Sequence, residues 1–289
     1  AVSLPSGRSA VLVSSGVAQT CAVLDDASLY CWGSNTLGIL GDGTTTSSNT
    51  PVAVSLPSGR TVVSVSTHSR HTCAVLENAS LYCWGGDDWG MLGDGTVTGN
   101  TGNSYDPIPG PVSLPSGRTA TAVSLGEFHA CAALDNASLY CWGQNGDGQL
   151  GTGGGQQNTP AETLLPSGRT VTSVSAGEQH TCAVLDNSSL YCWGWNGYGM
   201  LGDGTFTNRP APVAVNLPSE RTAVAVSAGG GTTSTGHTCT VLDDASLYCW
   251  GRNSNGQLGI GSSSLQKLSP QSVDLGTGRH IDLSERDID

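Results

Sequence analysis

The sequence of 289 residues predicts an all-β fold, a β-propeller of tandem blades about 52 residues long, with five complete repeats and a sixth half-repeat at the C-terminus. Three observations predict it. Ten cysteines fall into five pairs, Cys21 with Cys31, Cys73 with Cys83, Cys131 with Cys141, Cys182 with Cys192 and Cys239 with Cys249, nine residues lying within each pair and successive pairs starting 51 to 58 residues apart. A second phrase, Leu-Pro-Ser-Gly-Arg, ends at Arg8, Arg60, Arg118 and Arg169, recurs as Leu-Pro-Ser-Glu-Arg at Arg221 and weakens to Leu-Gly-Thr-Gly-Arg at Arg279. Glycine contributes 41 residues and charged side chains only 12%, the composition of short strands joined by tight turns.

Within a repeat, Cys21–Leu24 and Ser28–Cys31 read as antiparallel strands around the loop Asp25-Asp26-Ala27. That register sets Cys21 opposite Cys31. Cys21, Val23, Leu29 and Cys31 then share one face and Ala22, Leu24, Tyr30 and Trp32 the other, so both faces are apolar, as a blade sandwiched between two neighbours requires. Zinc ligands in a pair are usually spaced by about two to four residues, whereas nine residues across a hairpin match a cross-strand bridge. We therefore expect five disulfides, each contributing roughly 2.5–3 kcal/mol by the loop-entropy model. Persistent disulfides imply an oxidising compartment, hence a protein secreted to the extracellular space or held at the cell surface. The start at Ala1, in mid-repeat, fits a mature exported chain.

The repeats occupy approximately 1-50, 51-108, 109-160, 161-211 and 212-268, with the half-repeat at 269-289, all in one domain. Insertions at Gly99–Asp106 and Gly229–Gly236 account for the longer steps. The chain opens with a Leu-Pro-Ser-Gly-Arg strand pair and closes with another copy, Ser272–Ser284, that lacks its cysteine hairpin. A half-blade is thereby left over, and Val273, Leu275, Ile281 and Leu283 keep the apolar residues of a strand. We expect it to support self-association by strand addition to a neighbouring molecule.

Val174-Ser-Ala-Gly-Glu-Gln-His-Thr-Cys-Ala-Val-Leu185 and Trp142-Gly-Gln-Asn-Gly-Asp-Gly-Gln-Leu-Gly151 resemble the two halves of the regulator of chromosome condensation repeat. That family also includes a secreted propeller that inhibits β-lactamases. The resemblance covers nearly the whole chain and implies the propeller fold. Three departures stand out: cysteine replaces an apolar residue after His-Thr, Gln19 stands where other repeats carry His71, His129, His180 and His237, and five full repeats stand where the family commonly has seven. The nuclear member exchanges nucleotides on chromatin, but acidity and disulfides argue against that role here.

Acidic residues outnumber basic ones 23 to 11, and Lys267 is the single lysine. Nucleic acid and anionic membrane surfaces are disfavoured as partners. No apolar run approaches the roughly eighteen residues that span a bilayer, so no membrane insertion is expected. The repeated histidines, one per blade, are spread among the blades and cannot converge on one substrate; no Gly-x-Ser-x-Gly elbow or His-Glu-x-x-His is present. No catalytic residues, metal site or cofactor are expected, and the protein is read as a non-enzyme. Leu-Gly-Asp-Gly-Thr at Asp42, Asp94 and Asp203 offers one carboxylate per turn, which suits a strand cap better than calcium.

Asn78, Asn136 and Asn187 head glycosylation triplets at the centre of the hairpin loop, where Asp26 and Asp244 sit in the other repeats. Asn and Asp there also suit a left-handed loop position. The segments after each Cys-Trp-Gly vary most, and in them Asp87, Asp88, Trp89, Trp195 and Tyr198 are the candidate ligand-binding residues. The reading that follows is a non-catalytic, structural or self-assembling extracellular protein; the alternative is a recognition module that binds a glycan or a foreign protein through these loops.

Overall fold

A computed structural model describes residues 2–96, 104–230, 236–262, 264–276, 279 and 281–283. Twenty strands form five four-stranded antiparallel sheets, each a meander in chain order. Blade 1 comprises β1 (Ala10–Ser15), β2 (Gln19–Leu24), β3 (Leu29–Gly33) and β4 (Ser48–Ala53). Blade 2 comprises β5 (Val62–Thr67), β6 (His71–Leu76), β7 (Leu81–Gly86) and β8 (Tyr105–Pro111). Blade 3 comprises β9 (Ala120–Leu125), β10 (His129–Leu134), β11 (Leu139–Gly143) and β12 (Gln157–Glu162). Blade 4 comprises β13 (Val171–Ala176), β14 (His180–Leu185), β15 (Leu190–Gly194) and β16 (Arg209–Ala214), and blade 5 β17 (Ala223–Gly229), β18 (His237–Leu242), β19 (Leu247–Arg252) and β20 (Gln266–Ser272). Among the described residues no helix is long and apolar enough to cross a membrane.

The chain forms two compact units. The first holds blades 1 and 2 and most of blade 3; the second holds blades 4 and 5 with the blade 3 loop Asn145–Gly155.

The hairpin at each blade's centre has the register that the cysteine spacing requires, Cys21 facing Cys31 and Ala22 facing Tyr30. All ten cysteines are joined within their own hairpins, with Cα atoms 4.1 Å apart in every bridge. Cys21 bonds Cys31, Cys73 bonds Cys83, Cys131 bonds Cys141, Cys182 bonds Cys192 and Cys239 bonds Cys249. In blade 3, Cys131 on β10 and Cys141 on β11 are both fully buried, so the bridge is part of the core and not a surface staple. The loop differs in one respect from the sequence reading. The left-handed residue is the one after Asp26 or Asn78: Ala27, Ala79, Ala137, Ser188 and Ala245 have φ of 58 to 63°. The preceding Asp or Asn serves as an acceptor instead, Asn78 Oδ1 receiving Ser80 N–H at 3.2 Å and Ser80 Oγ–H at 2.6 Å. The motif is an Asx turn, and this bond fixes the tip.

The expected repeat boundaries fall inside each blade's fourth strand, dividing it between two repeats. Gln266–Ser272 accordingly completes blade 5, pairing Ser272 with Tyr248 and Gln271 with Cys249. Of the sixth copy, Ser272–Ser284, this strand includes only Ser272, and the other described residues beyond it form no strand. Val273 N–H donates to Leu247 O at 2.9 Å and Ile281 N–H to Ala245 O at 3.3 Å. The connecting segment after blade 1 crosses its hairpin in the same way, through Val54 to Leu29 and Val62 to Ala27. Residues 97–103 and 231–235, the greater part of the two insertions, lie outside the described residues, as does Ser284.

The cores form between consecutive blades. The disulfide face of blade 1 (Cys21, Val23, Leu29, Cys31) packs against Val62, Val65, Ala74, Leu76 and Trp84 of blade 2. Cys73, Val75, Leu81 and Cys83 meet Ala120, Ala132, Leu134 and Trp142 in turn. In the second unit Cys182, Val184, Leu190 and Cys192 meet Ala223, Val226 and Trp250. Apolar residues on both faces of these hairpins thus have one use: the disulfide side covers the tryptophan side of the following blade.

Candidate binding surface

Antiparallel meanders bring the β1–β2 turns and the long β3–β4 loops to one end of each blade, and the β2–β3 tips to the other. At the loop end one residue organises each long loop. Asn35, Asn145, Asn196 and Asn253 accept, through Oδ1, the N–H of the leucine five residues on, at 2.9 to 3.1 Å. Asn196 Nδ2 also reaches Asp203 Oδ1 at 3.1 Å and the carbonyls of Thr205 and Thr207 at 3.0 and 3.2 Å. Asp87 takes this place in blade 2, accepting Leu92 N–H at 3.2 Å.

Asp87 is thus an internal brace. Asp88 is also buried and pairs with Arg70, whose guanidinium stands 5.3 Å from the centre of the Phe128 ring. Both carboxylates are thus engaged from within the fold, as buried acids require. Trp89 is half-buried in the short 3-10 turn Asp88–Gly90, with φ of 70°.

The structure joins Trp195 and Tyr198 of blade 4, edge to face, with centroids 5.5 Å apart and planes at 88°. Arg252 of blade 5 places its guanidinium 4.6 Å from the centre of the Tyr198 ring. Sequence reading named the two aromatics but missed Arg252, which stands first in the blade 5 loop as Trp195 does in blade 4. The three half-buried side chains form a ladder of indole, phenol and guanidinium against the core of Met200, Leu201 and Val215. Such a ladder offers flat apolar area, a hydroxyl and a fixed cation with little rotamer entropy left to lose.

The acidic turns are structural. Asp42 Oδ1 caps Thr44 through N–H and Oγ–H, both at 2.9 Å, and Asp94 caps Thr96 at 2.7 Å. Burial works to raise the Asp203 carboxyl, but bonds from Thr205, Arg209 and Asn196 outweigh it and hold it below the ordinary carboxylate range. His71, His129 and His180 are buried, and His180 Nε2 meets Thr238 Oγ1 at 2.9 Å.

The hairpin-tip end has a different chemistry. Arg60 pairs with Glu77 at 2.9 Å, and Arg118 with Asp135, Arg169 with Asp186 and Arg221 with Asp244 at 3.2 to 3.5 Å. The phrase arginine thus fastens the connecting segment to the tip of the blade that follows it, an exposed contact worth at most about 1 kcal/mol. Asn78, Asn136 and Asn187 are exposed at these tips.

A family model described as the RCC1-like domain matches residues 1–285. The ultraviolet-B receptor UVR8 of Arabidopsis thaliana is 32% identical over 281 residues, which cover 95% of this chain and 61% of that protein. The mitochondrial RCC1 domain-containing protein RUG3 of Arabidopsis thaliana is 26% identical over 85% of this chain and 54% of its own length. The chain therefore spans less than two thirds of these relatives. Among solved structures, human WBSCR16 superposes with a TM-score of 0.80 at 21% identity, over 94% of this chain and 70% of that one. Yeast RCC1 (Prp20) bound to Kap60 superposes with 0.77 at 21% identity, over 92% and 64%. At such identities the superpositions establish the fold.

Proposed function

The chain belongs to the RCC1-like domain family, and from that premise we propose that it is a non-catalytic binding module, exported from the cell, that recognises a protein or glycan partner through its loop end. The single observation that carries the reading is the Trp195–Tyr198–Arg252 ladder, held at fixed geometry on a disulfide-stapled scaffold. Relatives are described as binding proteins: yeast RCC1 in complex with Kap60, and Prp20p with Gsp1p and histones. Those partners are not carried over to this chain, since likeness at 21–22% identity establishes the fold and not the partner. Five disulfides support export, and the exposed Asn-x-Ser tips support N-glycosylation at Asn78, Asn136 and Asn187. Mass excess on native peptides carrying these asparagines, and none on those carrying Asp26 or Asp244, is the expected result.

Binding arrays of extracellular proteins and oligosaccharides test the reading. A ligand that binds the intact chain should be weakened by Trp195→Ala or Tyr198→Ala by about 2 kcal/mol, roughly thirty-fold in Kd. Arg169→Ala, at the tip end of the same blade, should leave it unchanged. A ligand lost with Arg169→Ala and indifferent to the ladder would overturn the proposal.

A further inference from the structure

Three Asn-Gly dipeptides occur in the sequence, Asn145-Gly146, Asn196-Gly197 and Asn255-Gly256, each in the long loop after a blade's third strand. In such a pair the glycine nitrogen can reach the asparagine side chain, because no Cβ obstructs it and the backbone is permissive. The fold treats the three differently.

Asn145 and Asn196 brace their loops and are buried, with both ends of the carboxamide engaged. Asn145 Oδ1 accepts Leu150 N–H at 2.9 Å, and its Nδ2 donates to Gly155 O at 3.3 Å. Asn196 is held by Leu201 N–H at one end and by Asp203, Thr205 and Thr207 at the other. A Cβ on Gly197 would stand 2.5 Å from Trp195 Cζ2, so the indole also covers that dipeptide. Neither carboxamide can swing towards its glycine.

Asn255 holds another place in its loop, two residues after the brace Asn253, where blade 3 carries Asp147 and blade 4 Tyr198. Asn255 and Gly256 are exposed, and a Cβ on Gly256 would meet nothing within 4 Å. Among the described residues the Asn255 carboxamide makes no hydrogen bond. Gly256 N–H donates to Asn253 O at 3.1 Å, and a bond at the surface of a turn opens at little cost.

We propose that Asn255 is a site of spontaneous deamidation, while the fold protects Asn145 and Asn196. The Gly256 nitrogen loses its proton to water and attacks Asn255 Cγ. The bond from Cγ to Nδ2 breaks, ammonia leaves, and a succinimide ring remains. Water opens that ring at either carbonyl to give aspartate or isoaspartate, so the net change takes up water and releases ammonia. Blade 3 already carries the aspartate: Asp147 N–H donates to Gln149 Oε1 at 3.0 Å, as Asn255 N–H does to Gln257 Oε1 at 3.0 Å. The aspartyl product therefore keeps the turn and adds a negative charge to the loop of Arg252. The isoaspartyl product lengthens the backbone between Asn253 and Leu258, whose N–H Asn253 holds at 3.1 Å. Any effect on ligand binding rests on the proposed function; the modification itself does not.

Peptide mass mapping tests it on the native protein, disulfides intact, held in warm, mildly alkaline buffer in parallel with the unfolded, reduced chain. In the native protein Asn255 should convert at least about ten-fold faster than Asn145 or Asn196, which react only from locally opened states. In the unfolded chain all three should convert at comparable rates. An Asn255 that stays unmodified in the native protein, native conversion of Asn145 or Asn196 at a matching rate, or a preference for Asn255 that persists in the unfolded chain would overturn the proposal.

Discussion

His71 and His180 hold the same strand position in blades 2 and 4, yet only His180 has a hydroxyl opposite its ring, that of Thr238. The equivalent of Thr238 in blade 3 is Ala130, and both ring nitrogens of His71 are buried without a hydrogen-bond partner. Ala130→Thr restores the pair, and its hydroxyl can donate to Met91 O as Thr238 does to Met200 O. We expect stabilisation of about 1 kcal/mol, read as a raised Tm; an unchanged or lowered Tm would contradict this account of His71. Burial holds His71 and His180 neutral, with pKa values of about 3, like charges on His68, His129 and Arg70 adding to the effect at His71; burial sets His68 at about 4. The unfolded imidazole takes up its proton near pH 6.5, whereas the folded one resists to pH 3–4, so their contribution is complete above pH 6.5 and is lost as pH falls below it. Each costs roughly 2 kcal/mol at pH 5. Thermal melts should show Tm dropping between pH 7 and 5, and His71→Gln, which copies the Gln19 of blade 1, should reduce that drop. A flat profile would contradict the assignment.

At the level of the element, the blade-to-blade contact of Trp193 predicts a contrast. Trp193→Phe removes the N–H donated to Gln149 O and leaves a gap in a fully buried site, at an expected cost of about 2–3 kcal/mol. Trp32→Phe, at a half-buried site, should cost under about 0.5 kcal/mol. Chemical denaturation of the two variants checks the difference, and equal costs would contradict this account of the two sites. The central hairpins were legible in the sequence because their spacing, alternation and cysteine register agree in every copy, from Cys21 and Cys31 through Cys131 and Cys141 to Cys239 and Cys249. The fourth strands were not. Tyr105–Pro111 carries three prolines and Ser48–Ala53 opens with three polar residues in a row, so neither shows the alternation of a strand. Such sequences are tolerated because an outermost strand pairs on one side only. That difference moved the blade boundaries, and Gln266–Ser272, which the boundary at 268/269 had divided between the fifth repeat and the half-repeat, is the fourth strand of blade 5.

For the whole molecule, the sequence made the loop aromatics visible but not their use. Trp195 and Tyr198 lie in one loop, and three residues of spacing already place them within reach. Their junction with Arg252 depends on how far blade 5 is offset from blade 4, which no spacing within a repeat reveals. Asp87 and Asp88 show the converse: side by side beside a tryptophan they read as a site, while in the fold one replaces the loop-bracing asparagine and the other answers Arg70. What remains is a scaffold whose blades carry charged tips at one end and, on blades 4 and 5, the aromatic–guanidinium ladder at the other. Hydrogen–deuterium exchange on the native protein, with and without a ligand found on the arrays, tests that division most directly. The account predicts slowed exchange in the loops around Trp195–Gly199 and Arg252–Gly256, with the tips around Asn78 and Asn187 unchanged. Protection confined to the tips, with the ladder loops unaffected, would contradict it.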